Sequence, residues 1–127
     1  PYVDYRGLRG AKFPNSNYSE YLSQYQSAIA ATTYYPTQKY WEIPAAGCLT
    51  FMEITPTNFG DYLGFKDNET AIFINEKNYK NKFEAYLSDP ENNNWKEIAE
   101  AGHDYTIKNL TNDIALEKLI EIFKKLI

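Results

Sequence analysis

Ala28-Ile29-Ala30-Ala31-Thr32, then Pro36-Thr37-Gln38-Lys39-Tyr40-Trp41-Glu42-Ile43-Pro44-Ala45-Ala46-Gly47, then Cys48-Leu49-Thr50-Phe51-Met52: the reading of this stretch decides the fold. The first and last runs are short, apolar and β-prone, the pattern of buried strands. The middle run has the spacing of an amphipathic helix, entered at Pro36 and stopped by Gly47, which tolerates the left-handed conformation a helix end needs. Pro44 removes one helical hydrogen bond and crowds the preceding turn, so a kink or an early end at Trp41–Ile43 is expected. A strand, a helix and a strand joined by short connections predict a parallel pair.

The chain has 127 residues, enough for one domain that buries ~65–70% of its unfolded surface. The expectation is a single domain over 1–127, with a loop-rich segment over 1–16 and an apolar helix over 112–127. A net charge of -4 argues against a nucleic-acid or anionic-membrane surface. No run approaches the ~18 apolar residues of a membrane span, and no secretory signal is visible. The first residue is Pro1 rather than Met, which fits processing or truncation. The lone cysteine, Cys48, cannot form an internal disulfide, and in a strand it reads as a small apolar residue rather than a reactive thiol. A reducing, cytoplasmic setting is the matching expectation. One Cys and one His cannot make a typical zinc site, so no metal is expected.

Outward from the central stretch, Arg6, Arg9 and Lys12 read as solvated loop charges, with phosphate contact as the alternative. Val3 fits a short strand. A helix is predicted over Asn17–Gln26, with Tyr18, Tyr21, Leu22 and Tyr25 on one face. That face reads as core, with stacking on a sugar as the alternative. Thr32-Thr33-Tyr34-Tyr35 follows the carboxyl end of the first strand, where open parallel sheets bind ligands. The amides around Thr37 to Lys39 start a helix and suit a diphosphate. Glu53 is a candidate by its place at a strand's end. A strand over Thr70–Ile74 follows, then a helix from Tyr79 to about Asp89-Pro90 with Asn78 as its cap. The next helix runs from Trp95 to Gly102. His103 reads as structural rather than catalytic. Asn112-Asp113 caps a last helix whose apolar surface exceeds an ordinary ~100° stripe, so it is either deeply buried or meets something outside this chain.

Lys39-x-x-Glu42-Ile43-x-Ala45-Ala46-Gly47 before a hydrophobic strand resembles the donor-binding, C-terminal half of GT-B glycosyltransferases, of the group 1 and CgeB-like kind. Phe59-Gly60-x-x-Leu63-Gly64-Phe65, strand Thr70–Ile74 and Ile98-Ala99-x-x-Gly102-His103 continue the family's order, so the likeness runs from about Asn17 to Tyr105. The resemblance implies an α/β, three-layer Rossmann-like domain with a small parallel sheet, an incomplete GT-B C-terminal domain. It implies a nucleotide-diphosphate sugar as substrate, no cofactor, and a missing N-terminal acceptor domain or protein partner. By the same resemblance Glu42 accepts from ribose hydroxyls, Lys39 and Thr37 approach the phosphates, Tyr34 and Tyr35 border the donor, and a turn at Gly60 faces the sugar. The read-alternatives are a surface carboxylate at Glu42 and a Lys39–Glu42 pair. Many members carry a second Glu upstream, where this chain has Tyr34. Two other readings stand beside this one: a non-catalytic module for a nucleotide, glycan or protein, and a flavodoxin-like domain. No Gly-x-Ser-x-Gly elbow, Walker loop or dinucleotide fingerprint appears.

Overall fold

Strand β2 (Leu49–Glu53) is buried on both faces because its alternating residues feed two cores. Met52 and the preceding Cys48 point into the first, Leu49 and Phe51 into the second. Such continuous apolar runs belong to the centre of a parallel sheet. The computed structural model describes residues 18–127, so the expectations for Val3, Arg6, Arg9, Lys12 and Asn17 lie outside the described residues. β1 (Ser27–Ala30) and β3 (Ile72–Ile74) flank β2, both parallel to it, in the order β1-β2-β3. The register pairs Ile29 with Phe51 and Phe51 with Ile72. This is a three-layer, Rossmann-like α/β arrangement around a small parallel sheet.

Helix α1 (Tyr18–Leu22) and helix α2 (Lys39–Ala45) cover the first core through Leu22, Tyr40 and Ile43. Burying each large apolar side chain contributes about 1.5–3 kcal/mol. α1 ends at Leu22, before the predicted Gln26, because the amides of Gln24 and Tyr25 tighten into three-residue turns on Tyr21 and Leu22. α2 begins three residues after Pro36 and continues through Pro44, without the early end expected at Trp41–Ile43. Pro44 falls in the last turn, and the amides of Ala46, Gly47 and Cys48 close onto Glu42, Ile43 and Pro44 carbonyls. Gly47 then turns with φ +86, the left-handed stop its residue type permits.

The first strand ends at Ala30 rather than Thr32. The Thr32 hydroxyl donates to the Tyr35 carbonyl at 2.6 Å and turns the chain away. β3 starts at Ile72 rather than Thr70 because Thr70 and Ala71 donate backwards to the Lys66 carbonyl.

Helix α3 (Tyr79–Ser88) packs Phe83 and Tyr86 edge-on against Phe51, at ring separations of 5.0 and 5.6 Å. Helix α4 (Asn93–Asn109) passes through Gly102, the predicted stop. Its first half places Ile98 in the second core, and its second half brings Tyr105 to the first, so it crosses the amino ends of the strands. Gly102 is there for space: a Cβ would overlap the Thr70 carbonyl oxygen. His103 bonds the Ala45 carbonyl through Nδ1 at 3.0 Å and ties α4 to the end of α2. Tyr105 donates to the Leu63 carbonyl at 2.6 Å, which pins a 3-10 turn over Gly60–Leu63.

Helix α5 (Asn112–Leu126) is capped by the Thr111 hydroxyl, which accepts from the Ile114 amide, not by Asn112-Asp113. None of its residues is buried.

Candidate functional site

Two loops of the same construction stand side by side at the carboxyl ends of β2 and β3. In Thr55-Pro56-Thr57-Asn58, the Thr55 amide donates to Asn58 Oδ1 and the Asn58 amide donates to Thr55 Oγ1, both at 3.1 Å. In Asn75-Glu76-Lys77-Asn78, the Asn75 amide donates to Asn78 Oδ1 at 2.8 Å and the Asn78 amide to Asn75 Oδ1 at 3.1 Å. Each is a reciprocal exchange across three residues, the logic of a capping box. The exchange satisfies the backbone groups released where a strand ends, so the turns are held without a helix. Asn78 occupies the predicted N-cap position of α3, but its Oδ1 serves Asn75 and caps no helix amide.

Asn58 is the hub of the first loop and is fully buried. Its Oδ1 also accepts from the Gly60 amide at 3.0 Å. Its Nδ2 reaches the Glu53 carbonyl at 2.7 Å, and Thr32 and Tyr40 oxygens at 3.2 Å. The Tyr40 hydroxyl donates to the same Glu53 carbonyl at 2.9 Å. The β1 exit, α2, the end of β2 and the 3-10 turn are thus joined through one amide. Burial first, and the nearby Glu53 charge second, push the Tyr40 phenol above its ordinary range, against the lowering effect of its hydrogen bonds to Thr32 and Asn58.

Between the two boxes lies an open crevice of about 450 Å³. Its walls carry Glu53, Thr55, Thr57, Glu76 and Lys77, with Thr33 from the β1 exit loop. It occupies the place where an open parallel sheet binds ligands, beyond the carboxyl ends of its strands. Carboxylates accept from hydroxyls, threonines both give and accept, and the lysine offers three donors to an anion. Among the described residues, no group of three or more His, Cys, Asp or Glu is placed to hold a metal ion. No helix among them is long and apolar enough to cross a membrane.

The predicted site residues are dispersed. Tyr34 and Tyr35 are 65% and 73% exposed on the β1 exit loop, and Thr37 is exposed beside them. Lys39 borders a different groove of about 450 Å³, along the β1 edge with Tyr18, Ile29, Phe83 and Tyr86. Glu42 is half-buried and close enough to Tyr18 for its charge, after burial itself, to raise that phenol. Among the described residues, Lys39 and Glu42 form no ion pair. Gly60 is buried and its amide is spent on Asn58. Of the residues singled out in the sequence, Glu53 and Thr33 line the crevice.

The role of Asn58 was missed, as was that of the second box. The signal was present: Thr55-x-x-Asn58 and Asn75-x-x-Asn78 each follow a strand at a three-residue spacing. Of the expected core face, Leu22 is buried and Tyr18 and, beyond the end of α1, Tyr25 pack on the first cluster, which does not include Tyr21. Cys48 is buried, its Sγ 3.0 Å from the Leu22 carbonyl, and burial pushes the thiol up.

Compared with protein families, curated proteins and solved structures, the chain matches none.

Proposed function

We propose that this domain binds a nucleotide-diphosphate sugar, as the donor half of a GT-B glycosyltransferase does. The observation that carries the reading is the mixed chemistry of one crevice: two carboxylates, three threonines and a lysine at the carboxyl ends of consecutive parallel strands. A phosphorylated, hydroxyl-rich ligand needs both acceptors and donors, and Glu53, Glu76 and Lys77 supply them. The strand, helix and strand order of β1, α2 and β2 supports the same reading. Glu42, to which the resemblance assigns the ribose, lies on α2 toward Tyr18 and outside the crevice lining, so its share in binding is what Glu42→Ala tests. Sugar transfer to an acceptor also needs groups from a partner domain, so the chain binds the donor without turning it over.

A non-catalytic ligand-binding module is the second reading. It is favoured by the separation of Lys39 from the crevice.

The test is a thermal-shift series against UDP, GDP, ADP and TDP. Ligand at ~100 times its Kd is expected to stabilise the fold by ~2.7 kcal/mol. The expected pattern is a shift with one base, lost in Lys77→Ala and in Glu42→Ala. Binding that survives in Glu42→Ala but not in Lys77→Ala favours the second reading, and no shift with any nucleotide removes both nucleotide readings.

A further inference from the structure

Helix α5 spans 15 residues and buries none of them. Leu116, Ile120, Phe123 and Ile127 recur at intervals of four, three and four, which places them in one row along the helix. Leu119, Ile122 and Leu126 widen that row, and all seven are at least 42% exposed. An isolated helix of ~12–15 residues is marginal in water, so this one needs a covering surface. A contiguous apolar face of this kind marks an interaction site.

The charges around the row indicate what covers it. The helix carries Asp113, Glu117 and Glu121 against Lys118, Lys124 and Lys125, and therefore no net charge. Glu117 follows Leu116 near one end of the row, and Lys124 follows Phe123 near the other. They are seven residues apart and so share one flank. A partner of a single sign meets one of these groups with the wrong charge. An antiparallel copy of the same helix meets both with the right one. Centred between Ile120 and Phe123, that alignment puts Leu116 against Ile127 of the second copy and Ile120 against its Phe123. Glu117 then lies on the same flank as Lys124 of the second copy and about 3 Å along the axis from its level, within reach of an ion pair, twice by symmetry.

We propose that α5 is a homodimerisation helix, pairing antiparallel with α5 of a second copy. The inference is independent of what the crevice binds.

Sedimentation equilibrium of the 127-residue chain tests it. The expected mass is twice the 14.8 kDa of one chain. Phe123→Asp is expected to give monomer, and Ile120→Asp repeats the test should the first variant lose its far-ultraviolet helical signal. Glu117→Lys and Lys124→Glu are each expected to weaken association several-fold, while the double reversal restores it. A monomeric wild-type chain at about 100 µM, where ordinary homodimers are assembled, overturns the proposal. So does a dimer indifferent to Phe123→Asp and Ile120→Asp, and so does a dimer whose two charge reversals fail to compensate.

Discussion

Asn58 shows how much one side chain can hold. Its carboxamide is buried and engages the ends of four segments, so truncation leaves several backbone groups without partners. Asn58→Ala is expected to cost about 3 kcal/mol, read as a lower urea midpoint at unchanged slope. Composition and periodicity do not reveal such a residue, because its partners are mostly backbone atoms, with the Tyr40 hydroxyl, brought together by different connections.

Cys48 was legible for the opposite reason: a small apolar residue in a buried strand needs only its neighbours. Its thiol is buried and its pKa raised by that burial. The native chain is therefore expected to resist alkylation at pH 8, while the urea-unfolded chain reacts readily. Rapid modification of the folded protein would contradict this placement. Tyr18, Tyr40 and Cys48 all have raised folded-state pKa values. Each holds its proton more tightly when folded, so its contribution is complete below the unfolded pKa and fades as pH rises through the folded one. Unfolding free energy is expected to fall from about pH 9–10 upward, where free thiols and phenols ionise. A flat alkaline profile would mean that Tyr40 and Cys48 are not buried.

At the scale of elements, strands and helices were legible and their ends were not. The β1-α2-β2 unit followed from a break between two periodicities. Its boundaries depended on bonds that periodicity does not carry, such as Thr32 to Tyr35 and Ala71 to Lys66. Gly102 is the clearest case. Read along the sequence, a glycine after Ile98-Ala99 looks like a stop; in space it is the point where α4 crosses the strand ends with Thr70 beneath it. Gly102→Ala is expected to cost at least ~1–3 kcal/mol, since the obstacle is a backbone carbonyl and not a flexible side chain. A neutral result in urea unfolding would mean that α4 and Thr70 are not in contact.

For the molecule as a whole, both faces of the sheet are covered, and polar chemistry gathers at the carboxyl ends of the strands. The position of that crevice was legible, since it follows from parallel topology alone. Its membership was not. Glu53 was marked by its place at a strand's end, whereas Glu76 and Lys77 depend on the second box. The resemblance pointed instead to α2, whose Glu42 and Lys39 lie toward Tyr18 and the β1 edge. The apolar excess of the last helix was also legible, and α5 buries none of its residues, so its apolar face is not covered within the described fold.

The central claim is that a nucleotide-diphosphate sugar enters the crevice between the two loop boxes. The measurement that tests it is amide chemical-shift mapping of the chain on titration with UDP-, GDP-, ADP- and TDP-sugars. The expected result is saturable shifts confined to Thr33, Glu53–Thr57 and Asn75–Lys77. No shift with any of these donors, or shifts confined to α5 or the β1-edge groove, would contradict it.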